Sequence, residues 1–568
     1  MKKSLGIIVI CGLMIGGVLL AQIGSVSADC NPSPANSGDN VTCTGTDNNG
    51  VGSGSEDNTT VTVDSGATVD ASPLPAVNVN DNNTVTNNGT VTNNSGDAVY
   101  VTDNNTITNN GTVTSTDGAG VNGLDNNNIT NNGTIASDNG EGVYVDNNNT
   151  VTNNGSITTT TYGNGVDVLD NNNVTNNGSI TTDVGSGVYA GVDNNITNNG
   201  SITTTYGNGV DVCTGNNITN NGNINVTIGM GVTGCVDNSV TNNGTINSGV
   251  EGVSMGDNNA VVNNGTINAD VAGIDVANNN TVVNNGTINS TDVGMVGYDN
   301  NTLVNNGTIN ATGYAGMLGH DNNTLVNNGS VDASSGYGGI VVFSDNTVVN
   351  NGSVIGGVTG IEGNDDAQVV VNNGTITGVS GSAIALYGGN DSVVVMFGTI
   401  INGTIDGGAD TDSFQINLEA YADDTTNAQK IAESIAAQCP DASNCTIYVN
   451  GVTYVVMNFE GSAGTHIILL APQTKKPTVI CDGDVKVIKT VDGKYYDVYS
   501  GFTNALPNGF WVGRVDLAKL PGTLKFQDKG EHNPGWYVGV TLVENNLIVL
   551  QAHQANGTLV GKSCKVPR

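Results

Sequence analysis

The chain of 568 residues has no lysine or arginine between Lys3 and Lys430. A stretch of that length without a cation cannot hold nucleic acid by its phosphates. With 51 acids against 15 bases, the chain is also repelled by an anionic membrane surface. Acidic polysaccharide is an equally poor partner unless calcium bridges the two. Aromatic residues make up only 4%, and both tryptophans, Trp511 and Trp536, lie near the end. His320 is the only histidine before His466, so the long middle has almost nothing that could act as a general base or stabilise a developing anion. The one long apolar run is Leu5 to Leu20, behind Met1-Lys2-Lys3 and ahead of Val26-Ser27-Ala28. That is the pattern of a secretory signal, here residues 1–28, and no membrane-spanning segment is expected once it is removed.

What the chain has in abundance is a repeat. Asn-Asn-Gly recurs with its glycine at 89, 111, 133, 155, 178, 200, 222, 244, 265, 286, 307, 329, 352 and 374. A period of about 22 residues signals a solenoid. Each copy carries three aliphatic anchors. One precedes the glycine by four residues, as in Val85 and Ile196, and one follows it by two, as in Val91 and Ile246. The third lies nine to eleven residues on, as in Val99, Met295 and Ile384. Apolar and polar residues alternate around the anchors, which reads as strand. Asp-Asn-Asn and Asn-Asn-Gly between them read as turns that tolerate left-handed backbone. Three strands and three turns per repeat predict an all-β, three-faced parallel β-helix in which stacking covers the anchors. Stacked asparagines would form an amide ladder along its edge.

The helix is expected over residues 57–408. A loose lead-in and cap, residues 29–56, precedes it. A transition region follows at 409–474, with one helix over about 427–438. Residues 475–568 hold 12 of the basic residues and form a small separate β domain.

Loss of the signal removes Cys11 and leaves eight cysteines, an even number that suggests disulfides in an exported chain. Cys213 and Cys235 occupy the same position in adjacent turns and are the first candidate pair. The remaining local pairs are Cys30 with Cys43, Cys439 with Cys445, and Cys481 with Cys564. None forms a CxxC motif, so zinc is not expected. The recurring turn aspartates leave calcium as the one metal to consider, and Asp410 and Asp412, in Gly407-Gly408-Ala409-Asp410-Thr411-Asp412, are its weak candidates. No other cofactor is expected.

No constellation of catalytic type appears. The loops vary too little to wall a groove, and no spacing joins Asp528, Glu531, His532 and His553. Tyr100, Tyr144 and Tyr189 each follow a third-anchor valine by one residue, so they should point outward on every second turn. Such a row can stack on sugar rings or anchor a protein partner.

The Asn-Asn-Gly-Thr-Ile repeats, with Gly-Val and Asp-Asn-Asn-x-Val, resemble the right-handed β-helical passenger domains of bacterial autotransporters and related surface adhesins. The Gly-Gly-Ala-Asp-Thr-Asp block resembles the end of such passengers. The resemblance covers roughly residues 57–414. It implies an exported, cell-surface or secreted protein with an adhesive or structural role and a surface glycan or extracellular protein as partner. Residues 475–568 are too short for the family's translocator barrel, so self-translocation is not expected. Two other readings stay open: a carbohydrate-active β-helix enzyme of lyase or hydrolase type, and a calcium-dependent binding rod. Gly319-His320-Asp321 is faintly similar to the Gly-His-Gly of polygalacturonases, but Asp365-Asp366 lies two turns away. Nothing in the sequence sets the oligomeric state.

Overall fold

The structure is a computed structural model. It describes residues 30–396 and 399–417, then 444–449, 452–459 and separate strands between 467 and 567. These form a parallel β-solenoid with about 22 residues per turn and three sheets, followed by two small antiparallel sheets. The signal segment, the expected helix and Cys439 lie outside the described residues. The chain divides into two units, 1–254 and 255–568.

In the N-terminal unit each anchor builds one sheet. Val85 lies beside Ile107 and Ile107 beside Ile129 in the first sheet. Val91, Val113 and Ile135 stack in the second, and Val99, Val121 and Val143 in the third. All nine are buried. Each gains on the order of 1.5–3 kcal/mol from burial that a lone turn could not supply. The polar residues between them face out, which is why each strand alternates.

The corners divide the work in a way the sequence reading did not separate. Left-handed backbone occurs at the middle residue of Asp-Asn-Asn, as in Asn82, Asn104 and Asn126, with φ of 60°, 60° and 58°. Asparagine bears this conformation at little cost. The glycine of Asn-Asn-Gly is not left-handed. It is there because turns stack backbone on backbone: a Cβ on Gly133 would strike the carbonyl oxygen of Gly111.

Two amide ladders run through the Asn-Asn-Gly corner. The first asparagine is buried and donates Nδ2 to Oδ1 of its equivalent one turn on, Asn176 to Asn198 and Asn198 to Asn220, both at 2.8 Å. The same Nδ2 of Asn198 lies 3.1 Å from the Asn223 carbonyl. The second asparagine is exposed and donates the opposite way, Asn199 to Asn177 at 2.8 Å. Asn198→Ala should therefore cost about 3 kcal/mol, because a donor on Asn176 and an acceptor on Asn220 are left buried without partners. Asn199→Ala should cost under about 0.5 kcal/mol. Denaturant unfolding followed by far-UV circular dichroism separates the two; equal losses would remove the buried ladder's special role.

Residues 30–56 were expected to be loose. They already contribute strands: Asn40–Cys43 lies parallel to Thr60–Val63, and Thr46–Asp47 parallel to Thr68–Val69. The expected Cys30–Cys43 disulfide is present, and the Cys30 amide donates to Asp47 Oδ2 at 3.0 Å. The Gly/Asn/Ser composition hid these strands because each is only two to four residues long.

The C-terminal unit repeats the pattern, with Val282, Leu303 and Leu325 in one column and the buried ladder continuing from Asn263 to Asn372. Coiling does not stop at 408. Ser413–Asn417 adds to the first sheet and is followed there by Ile467–Leu470, while Val452–Met457 lies parallel to Thr404–Asp406 in the third. Cys445, on Asn444–Val449, is disulfide-bonded. Beyond residue 477, Thr478–Cys481 through Phe510–Asp516 form one four-stranded antiparallel sheet and Leu524–Gln527 through Leu559–Pro567 another. Cys481 and Cys564 fall on these strands, whose side chains lie outside the described ones.

Candidate surface on the third sheet

The outward position of the third sheet follows the third anchor by one residue. In the N-terminal unit, register stacks these positions as Asn78, Tyr100, Asn122, Tyr144, Asp167, Tyr189, Asp211 and Thr233. The three expected tyrosines thus form one column along the helix axis, each separated from the next by a short amide or carboxylate. The sequence signalled the tyrosines. The alternating Asp167 and Asp211 follow from the same spacing once the register is known.

The tyrosines are only half-buried, although the sheet points them outward. Tyr162 and Tyr206, on the preceding corner, stand out at 74% and 59% exposure. The column tyrosines are thus more enclosed by their neighbours than the corner ones. Burial first, then the Asp146 carboxylate beside it, pushes the pKa of the Tyr144 hydroxyl up to about 12. The Tyr189 hydroxyl lies 3.3 Å from Cys213 Sγ, and that contact, followed by burial, raises it likewise to about 12.

The acids are held from their own turns. Asn164 Nδ2 donates to Asp167 at 2.8 Å and Asn208 Nδ2 to Asp211 at 3.1 Å. Asn164 Oδ1 in turn accepts from the Ser186 amide at 2.9 Å, which fixes its rotamer. Burial pushes the Asp167 carboxyl up to about 6, opposed by the Asn164 bond, and raises Asp211 for the same reason.

The expected Cys213–Cys235 disulfide is not formed. Val212 pairs with Gly234 and Thr214 with Val236, so the two cysteines do occupy equivalent places, but they stand as thiols in hydrogen-bond contact. In-register parallel strands hold equivalent Cβ atoms about 4.8 Å apart, beyond the roughly 3.8 Å a disulfide prefers. A Cα spacing within bridging range is therefore not sufficient when the two side chains run parallel.

In the C-terminal unit the corresponding face is built differently. Val296, Leu318 and Val341 stack on its outside and cluster with Ala272, Val293 and Ala315. Rings flank this strip. His320 is sandwiched between Tyr298 and Phe343, with centroids 4.6 and 4.9 Å away. Tyr314 and Tyr337 stack at 5.7 Å, and the Tyr337 hydroxyl donates to Glu362 Oε1 at 2.7 Å. These rings spend their faces on one another, and His320 meets aromatic carbon rather than a carboxylate pair.

The Asp-Asn-Asn corner ends unusually. Its third residue is asparagine through Asn346, then Gln368, Asp391 and Asp412. Each accepts the backbone amide of its predecessor: Gln368 N–H to Asp391 Oδ1 at 2.6 Å and Asp391 N–H to Asp412 Oδ1 at 2.8 Å. Asparagines here also donate Nδ2 to a carbonyl of the preceding turn, as Asn301 does to Ala277 at 2.7 Å. Asp391 offers an oxygen in that place, and its buried Oδ2 has no hydrogen-bond partner among the described residues. Burial, with Asp412 and Asp410 nearby, pushes its carboxyl up to about 8. Asp410, the other weak calcium candidate, accepts from the Gly389 amide at 3.2 Å. Among the described residues no group of three or more His, Cys, Asp or Glu side chains is placed to hold a metal ion.

No protein-family description, curated protein or solved structure matches this chain.

Proposed function

We propose that the protein is an exported, surface-associated or secreted β-helix of the autotransporter-passenger type, with an adhesive or structural role and no catalysis of its own. The observation that carries this reading is the column on the third sheet, where regular turns present tyrosines and acids on a shallow face rather than inside a loop-walled groove. Large flat faces suit contact with extended partners, and the cation-free sequence from residue 4 to 429 disfavours anionic ones. The resemblance of the repeat pattern to surface passengers supports export.

The test is to apply the purified protein to an array of glycans and extracellular-matrix proteins, with and without calcium. A defined hit supports an adhesin. Binding that requires calcium would move the reading to a calcium-dependent rod, and release of reducing ends from any glycan would replace it with an enzyme. Silence in a folded protein would leave the structural role alone.

A further inference from the structure

Resting on that reading, we infer that the third-sheet column of the N-terminal unit binds an uncharged, extended oligosaccharide laid along the helix axis, with Tyr100, Tyr144 and Tyr189 as stacking platforms and Asp167 and Asp211 as hydrogen-bonding partners for its hydroxyls. Three independent features converge on that chemistry.

The first is ring availability. Each column tyrosine is only half-buried, so part of its ring stays open to solvent. The neighbours of Tyr144 in register are the short side chains Asn122 and Asp167 rather than other rings. In the C-terminal unit, by contrast, Tyr314 and Tyr337 stack on each other at 5.7 Å. The column tyrosines are spaced two turns apart, about 10 Å, close to the length of a disaccharide in an extended β-linked chain. Sugar C–H faces pack on aromatic faces, and successive rings at that spacing meet every second sugar.

The second is the polar group between the rings. The carboxylates of Asp167 and Asp211 are each steadied by an asparagine amide of their own turn. A carboxylate accepts at both oxygens and leaves capacity for sugar hydroxyls. Fixed acceptors of this kind lose little entropy on binding.

The third is charge. With no lysine or arginine between residues 4 and 429, nothing on this face neutralises sulfate, phosphate or uronate. Asp167, Asp211 and Glu141 repel them. Neutral polymers are the hydroxyl-rich ligands that remain.

The experiment is isothermal titration of the whole protein with neutral β-linked hexasaccharides of glucose, xylose and mannose, beside a sulfated hexasaccharide. One or more neutral probes should bind and the sulfated one should not. Tyr144→Ala should weaken binding about fivefold or more, while Tyr144→Phe keeps it. Asp167→Ala should weaken it as well, and Tyr162→Ala, off the column, should leave it unchanged. Circular dichroism of each variant confirms that the sheets persist. No neutral binding at millimolar sugar, or binding indifferent to Tyr144→Ala, overturns the inference. If the protein then still captures a matrix protein on the array, the adhesive reading survives and only the glycan assignment falls.

Discussion

Replacing Asp391 with asparagine should make the protein more stable at pH 8 by about 3 kcal/mol, and hardly change it at pH 4. The corner needs a donor where Asp391 places Oδ2, as the asparagines at this position show. A protonated carboxyl supplies that donor; a carboxylate sets an acceptor against an acceptor and is desolvated as well. Gln368 faces the group through its amide, and Asp412 and Asp410 are the charged groups beside it. The folded state thus holds a proton up to about pH 8, whereas the unfolded chain releases it near pH 4. A raised carboxyl pKa means the stabilisation is complete below the unfolded value and fades as pH climbs to the folded one. The slope is at most about 1.4 kcal/mol per pH unit. Asparagine donates at every pH, so its curve should be flat in that window. Unfolding by guanidinium at pH 4, 6 and 8 gives both curves, and parallel curves would show that Asp391 is ionised in the folded protein.

How much of this was readable beforehand follows from what each residue depends on. Val85, Val91 and Val99 declared the three sheets because burial on one side of a strand imposes a period of two, and stacking imposes a period of 22. Tyr144 pointed outward for the same reason. What spacing could not supply was direction in space. It placed Cys213 beside Cys235 without revealing that their side chains run parallel, and it treated both corners as left-handed when only Asp-Asn-Asn is. Asp391's place was legible: it stands 23 residues after Gln368, where each turn from Asn83 to Gln368 has an amide side chain. The aromatic sandwich around His320 is legible too, since Tyr298, His320 and Phe343 each directly follow a strand of the third sheet at equivalent positions.

The largest loss should come from the smallest change, Gly178→Ala. The third residue of Asn-Asn-Gly sits directly over its equivalent in the preceding turn. A Cβ on Gly178 would collide with the carbonyl oxygen of Gly155 and lie 2.8 Å from the Asn154 carbonyl carbon. Both obstacles are backbone, so no rotamer change relieves them, in contrast to overpacking a side-chain core. The turns must part at that corner instead. Parting them strains the bond from the Ser179 amide to the Gly155 carbonyl, now 2.9 Å, and the Asn153 to Asn176 amide contact at 2.8 Å. Two hydrogen bonds and a steric clash together should exceed about 4 kcal/mol. Alanine is the better helix and strand former in unstrained backbone, so propensity alone predicts the opposite sign. Because each turn touches only its neighbours, the damage should be local. Hydrogen exchange should show lost protection at residues 150–182 while amides several turns away keep theirs. Uniform loss along the unit would mean that it unfolds as a single cooperative block. Unchanged protection would mean that the backbone yields at this corner, and close backbone stacking would then not be the reason for the invariant glycine of the fourteen repeats.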